Sequence, residues 1–203
     1  MSNHKNVLKL LGCLEFPIPA LVHEYATIGV LNNENAFGDN ESLTWKARLR
    51  IAKQLANALT YLHTAFPRPV ILRDLRPSCI FLDSGYVPKL SYFALSITIP
   101  PMKSHAEDEP KGAFGALVTN QEGERESITS YVKFHVRHSQ IQTIIDPKIF
   151  DEVGRDEQAQ VYLQDFLALA LLCTQASNES DRPDMIDVSK ELVRIEKSFF
   201  FTC

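Results

Sequence analysis

Short apolar runs separated by polar breaks organise the first hundred residues. Val7 to Phe16 and Ala20 to Tyr25 flank Pro17 and Pro19, and this pattern predicts two strands joined by a tight turn. Residues 27 to 42 turn polar around Gly38 and read as a surface loop leading into a helix. In that helix Trp45, Leu49, Ala52, Leu55 or Ala56, Leu59 and Leu62 recur at steps of three and four, with Thr44 placed to cap its start. After Pro67 and Pro69, Val70-Ile71, Ile80-Phe81-Leu82 and Val87 to Leu90 are strand candidates, the last two joined by an Asp83-Ser84-Gly85-Tyr86 turn. Residues 99 to 140 carry Pro100-Pro101, an acidic patch at Glu107-Asp108-Glu109 and a Ser/Thr-rich stretch, and predict a long irregular segment, partly mobile. Order returns with an apolar helix from about Gln158 to Thr174 and a second one through Met185, Val188, Leu192 and Ile195.

Composition narrows the function. The 203 residues carry 25 acidic and 21 basic side chains, a formal charge of −4, with 45% apolar types. Lys and Arg are scattered, so the basic stripe a nucleic acid needs is missing and no nucleic-acid partner is expected. The longest apolar run, Phe166 to Cys173, is far short of the ~20 residues that cross a bilayer. No membrane span or signal peptide is expected. Cys13, Cys79, Cys173 and Cys203 form no Cys-x-x-Cys pair and fit free thiols in the cytoplasm. The 8 glycines are about 4% of the chain against a typical ~7%, and their scatter builds no phosphate-cradling loop.

Three further features have an ordinary explanation beside a functional one. His135-x-x-His138 could place two imidazoles on one helical face, but no third ligand follows at a metal spacing, so two solvated histidines are expected. Thr119, Ser127, Thr129 and Ser130 could accept phosphate, and an ordinary polar loop accounts for them more simply. The face of Phe166, Leu167, Ala170 and Leu171 reads as core, as does Phe199-Phe200-Phe201, unless part of either is left uncovered for a partner.

The segment Leu72-Arg73-Asp74-Leu75-Arg76-Pro77-Ser78-Cys79-Ile80-Phe81-Leu82-Asp83 resembles the protein-kinase catalytic loop His-Arg-Asp-Leu-Lys-Pro-x-Asn-Ile-Leu-Leu-Asp at seven of twelve positions. Asn6-Val7 with Leu10-Leu11-Gly12-Cys13, then Leu21-Val22-His23-Glu24-Tyr25, resemble the fourth and fifth strands and hinge of plant receptor-like kinases of the wall-associated type. Leu43 to Ala52, Ile144-Ile145-Asp146-Pro147, Leu171 to Thr174 and Arg182-Pro183-x-Met185 are similar to later parts of that family, in its chain order. The resemblance implies an α+β fold: a mainly helical kinase C-terminal lobe with a small β remnant of the N-terminal lobe. It is expected to be one truncated domain over 1–203, with strands and hinge in 1–26, helices and catalytic loop in 27–98, a degenerate activation segment in 99–140 and late helices in 141–203. The glycine-rich loop, the lysine strand, helix C and the buried central helix find no match, which accounts for the scarce glycine.

The departures set the functional expectation. Phosphoryl transfer needs magnesium on hard oxygen ligands. Tyr92-Phe93-Ala94 stands where the family has Asp-Phe-Gly, and Cys79 stands where it has the second ligand, Asn. A phenol and a thiol suit magnesium poorly. Arg76 replaces the loop lysine, and Asp74 keeps the general-base position, where it reads first as a locally paired surface carboxylate. The hinge residues Glu24, Tyr25 and Ala26 would hold a nucleotide if one bound, but neither ATP nor a metal is expected as cofactor. The resemblance therefore implies a pseudokinase acting as adaptor or decoy in plant receptor or immune signalling. Its implied partners are a nucleotide-binding leucine-rich-repeat immune receptor and receptor-like cytoplasmic kinases, with the chain cytoplasmic and recruited to the plasma membrane through them. A residual serine/threonine kinase or ATP binder, and a non-functional truncated product, remain the alternatives.

Overall fold

The computed structural model describes residues 3–15, 17–32, 43–100, 117–119, 123, 125–154, 156–174 and 182–201. The acidic patch at 107–109 and the glycines at 112 and 115 lie outside them. The chain divides into two compact units, 1–43 with 47–111, and 44–46 with 112–203.

In the first unit the two runs around the prolines form β1 (Leu10–Leu14) and β2 (Ala20–His23), an antiparallel hairpin with Cys13 opposite Leu21 and Leu14 opposite Ala20. The strands are shorter than the apolar runs, because Val7 bridges to Leu90 instead. Within the expected 27–42 loop, β3 (Gly29–Val30) joins a sheet, and its Gly29 takes a φ of 93°. The helix α1 (Trp45–Thr64) follows, then β4 (Val70–Ile71), a 3-10 turn at Pro77–Cys79, β5 (Ile80–Leu82), β6 (Pro88–Leu90) and β7 (Ile97–Thr98). Strand β5 lies between β3 and β6, all antiparallel, and β4 pairs with β7. The turn at 83–86 forms as its residues predict: Asp83 Oδ1 accepts from the N–H groups of Gly85 (2.9 Å) and Val87 (3.0 Å).

Helix α1 buries more than its stripe. Ile51 and Ala58 join Leu62, Val70, Leu72, Ile80, Leu82 and Leu90 in one core, with Leu55 and Leu59 packed at its margin. Asn6, fully buried, fastens the N-terminal segment to this core: its Nδ2 donates to Pro88 O (2.8 Å) and Gln54 Oε1 (2.9 Å).

Beside it His4 stacks on Tyr61 at 4.9 Å and accepts a hydrogen bond from the Asn6 N–H at Nδ1. Burial, and secondarily the Lys5 charge, hold the His4 pKa below its ordinary 6.5. The unfolded chain therefore takes up the proton first, so stability should decline as the pH falls through 6.5 toward the lowered folded value. In His4→Phe, which keeps a ring against Tyr61 but cannot titrate, the drop in melting temperature from about pH 7 to about pH 5 is expected to shrink. An unchanged profile would remove His4 as its source.

In the second unit β8 (Leu117–Thr119) pairs with β9 (Arg125–Ser127), and α2 (Ile128–Arg137) follows. This corrects the irregular segment expected up to residue 140. The Ser/Thr density that suggested a loop supplies a helix cap, because Ser127 Oγ accepts from the Ser130 N–H at 3.1 Å. The histidines are corrected as well. His135 is buried, its Nδ1 2.9 Å from Tyr131 O and its ring against Tyr131 and Phe134, while His138 stays exposed.

After a 3-10 turn at Ile141–Thr143 come α3 (Pro147–Val153), α4 (Glu157–Cys173) and α5 (Met185–Phe201). Asp146 and Asp156 cap α3 and α4 through their carboxylates. Trp45 centres this unit's core with Ile149, Val153, Ala159 and Leu163, and Phe166 and Phe199 pack at its edge. The Phe166–Leu171 face is only partly core, since Phe166, Leu167 and Leu171 are half-buried and Ala170 is exposed.

Candidate functional site

The loop after β4 is built on buried apolar side chains. Leu72, where a kinase has histidine, is 4% exposed and belongs to the main core, so the loop is held by apolar burial. The chain then folds back on itself: the Asp74 N–H donates to Leu72 O at 2.9 Å across Arg73, which takes a φ of 64°. A non-glycine residue in this left-handed region is uncommon and costs roughly 1 kcal/mol or more.

Asp74 is buried, and its Oδ2 sits 2.7 Å from an Arg76 guanidinium nitrogen. The local pairing matches the sequence reading, but the carboxylate is not at the surface. Cys79 is 2% exposed; its thiol donates to Asp74 O at 3.4 Å, and its N–H donates to Arg76 O at 2.9 Å. The sulfur thus occupies an interior position and closes the loop on itself.

Pairing of β5 with β6 brings the segment leading to Tyr92 near Cys79. Ile80 faces Leu90, and just beyond that pair the Ser91 N–H donates to Cys79 O at 2.8 Å. Tyr92 follows with a φ of 64° and a half-exposed ring. Asp74, Cys79 and Tyr92 are therefore gathered by one loop and one strand pair. The donors do not fit magnesium: a buried thiol already donating its proton, a phenol, and one carboxylate paired with arginine. Among the described residues no group of three His, Cys, Asp or Glu could hold a metal ion.

The residues expected to form the hinge belong to the same unit. Glu24 Oε1 accepts from the Lys9 N–H (3.0 Å) and from Lys89 Nζ (2.9 Å). The Lys9 N–H first, and the Lys89 hydrogen bond and charge after it, hold its pKa below the ordinary carboxylate range against a partial opposing effect of burial. Tyr25 is 85% exposed and Ala26 is buried. The sequence reading missed the Glu24–Lys89 pair, the Asn6 anchor and the left-handed Arg73 and Tyr92. Only Asn6, a lone amide before an apolar run, left a trace.

The second unit contains a cleft of about 510 Å³ lined by residues including Val136, Ile145, Phe150, Leu163 and Leu167. Among the described residues its lining has no charged side chain, which leaves it unsuited to a nucleotide's phosphates. Among the described residues no helix is long and apolar enough to cross a membrane.

A helical lobe with a small β portion, whose Leu72–Asp83 segment resembles a kinase catalytic loop but carries a thiol and a phenol at the expected metal positions, defines the class as kinase-like. The family described as protein tyrosine and serine/threonine kinase matches residues 1–116, and the chain belongs to it. It is 37% identical over 236 residues to the Arabidopsis thaliana serine/threonine-protein kinase ZRK1, covering 98% of this chain and 66% of the relative. It is 35% identical over 234 residues to the Arabidopsis thaliana non-functional pseudokinase ZED1, covering 97% of this chain and 70% of that one. Among solved structures, the pseudokinase domain of BIR2, described as an immune regulator of the RLK/Pelle family, shares the fold. That match has a TM-score of 0.72 at 21% identity and covers 96% of this chain and 66% of that one.

The chain thus spans about two thirds of the length of the curated relatives it matches. The 236 aligned positions with ZRK1 exceed the 203 residues here, so at least 33 fall where the relative has residues and this chain has none. Relative to ZRK1, the kinase fold is therefore incomplete within the aligned span.

Proposed function

We propose that this chain is a catalytically inactive kinase-like protein that works by protein interaction, as an adaptor or decoy in plant receptor or immune signalling. The observation that carries the reading is that the two positions where the resemblance places metal donors hold the buried thiol of Cys79 and the half-exposed phenol of Tyr92. Relatives named as pseudokinases, and a fold shared with an immune regulator, support it. The partners that fit are a nucleotide-binding leucine-rich-repeat receptor and receptor-like cytoplasmic kinases. Association with the plasma membrane would then come through those partners, and neither ATP nor magnesium would be a cofactor.

Retention of Asp74 favours the second reading, a residual kinase or nucleotide binder. The two separate in one assay. Incubated with ATP, magnesium and a general protein substrate, the purified chain is expected to incorporate no more phosphate than its Asp74→Asn variant. Its melting temperature should not move with ATP, with or without magnesium. Phosphate transfer that disappears in Asp74→Asn would overturn the proposal.

A further inference from the structure

The β1–β2 hairpin is the most exposed apolar element of the first unit. Leu10, Leu11, Leu14 and Leu21 are 49, 60, 61 and 63% exposed, and among the described residues β1 pairs only with β2. A two-stranded hairpin with both faces in water is marginal, and an apolar free edge is a template for another strand. The register between β1 and β2 shifts between Leu10 and Gly12, so Leu11 has no opposite residue on β2.

The segment Lys9-Leu10-Leu11-Gly12-Cys13-Leu14-Glu15 is complementary to itself when reversed. Paired antiparallel about Gly12, it sets Leu10 opposite Leu14 of a second copy, Leu11 opposite Cys13, and Lys9 opposite Glu15, each contact occurring twice. Gly12 then meets Gly12 at the two-fold axis, and there is open space around it, since a Cβ built on Gly12 meets nothing within 4 Å. Parallel pairing in register would set Lys9 beside Lys9 and Glu15 beside Glu15, and an antiparallel register displaced by two residues removes the Lys9–Glu15 opposition. Strand β2 offers no such match: Pro19, beside its first residue, lacks a backbone donor, and Glu24, beyond its last, is engaged by Lys89.

We propose that β1 pairs edge to edge with β1 of a second copy of this chain, antiparallel about Gly12, joining two hairpins into one four-stranded sheet. The dimer follows from this edge alone and does not depend on whether the chain transfers phosphate.

Sedimentation velocity on the full chain over a range of concentrations tests it. The expected result is a reversible shift from 22.9 kDa toward twice that mass. Glu15→Lys and Lys9→Glu, both at exposed positions, should each weaken the dimer about tenfold, because two ion pairs become two like-charge pairs. The double variant Lys9→Glu/Glu15→Lys should restore it. Two Cys13 side chains would lie diagonally across the axis at roughly 7–8 Å. In a Cys173→Ser/Cys203→Ser background, a short bismaleimide should therefore link two chains through Cys13, and less so with Glu15→Lys. A chain that stays monomeric up to its solubility limit overturns the proposal. So does a dimer insensitive to Glu15→Lys, or one that the charge swap fails to restore.

Discussion

Trp45→Ala is expected to lower the stability of the second unit by about 3–5 kcal/mol, the range for deleting a buried aromatic side chain. Trp45 is 3% exposed, and its ring stands edge-on to Phe166, 5.1 Å between centroids at 88°. It fills the space between α3, through Ile149 and Val153, and α4, through Ala159 and Leu163. At seven residues, α3 is too short to persist by its own hydrogen bonds, so its order depends on this packing. The Glu152 carboxylate on α3 also accepts the Trp45 N–H at 2.6 Å, which satisfies one of the bare donors at the start of α1. That bond survives in the alanine variant, so the loss measures the ring.

Trp45→Phe separates packing from polarity. Among the described residues the buried indole Nε1 has no hydrogen-bond partner, and a phenyl ring removes that donor while keeping most of the apolar volume. The phenylalanine variant should therefore lie closer to the wild type than to alanine. Because Trp45 is the sole tryptophan, unfolding in urea is best followed by circular dichroism. A loss under about 1 kcal/mol for Trp45→Ala would mean that this core is not formed in solution.

The contrast between legible and hidden features has a physical pattern. The 45–64 helix and the 83–86 turn were readable because each rests on local chemistry: an apolar stripe at helical spacing in one case, an Asp carboxylate bonded two and four residues ahead in the other. The helix over 128–137 was hidden because serine and threonine suit both loops and caps, and only the Ser127–Ser130 bond decides between them. Strands β3 and β7 are two residues long and exist through partners far along the chain, so no local period marks them. His135 is buried by ring contacts on its own helix, which the His-x-x-His spacing does not distinguish from a solvated pair.

The candidate site divides in the same way. The chemical identities at 74, 76, 79 and 92 were visible in the sequence, and they carry the functional reading. The burial of Asp74 and the left-handed φ of Arg73 beside it were not, since no glycine or asparagine announces that turn. Two of the left-handed residues fall at this site, Arg73 beside Asp74 and Tyr92 itself.

The second large effect is expected at Leu82. It has no exposed surface and lies on β5, the middle strand of its sheet, opposite Gly29 on one side and Pro88 on the other. Its carbonyl accepts the Ile28 N–H at 3.1 Å. Leu82→Ala leaves these backbone bonds in place and removes the side chain from the cluster of Ile51, Ala58, Leu62, Val70, Leu72, Ile80 and Leu90. Strands on both sides limit collapse into the space left behind, so a loss of about 2–5 kcal/mol is expected, toward the upper end. Phe81→Ala on the same strand, only half-buried, should cost less.

The same variant tests how the catalytic loop is held. Leu72 anchors that loop through this cluster, and Cys79 closes it from a position 2% exposed. Loosening the packing beneath Leu72 should therefore expose the Cys79 thiol, and its reaction with a disulfide reagent should quicken relative to the wild type. Cys13, already exposed and outside this core, should react at an unchanged rate and serve as the internal reference. If Leu82→Ala destabilises the fold while the Cys79 rate stays fixed under native conditions, the loop is held by its own turns and the Asp74–Arg76 pair, and the apolar replacement at position 72 is incidental to it.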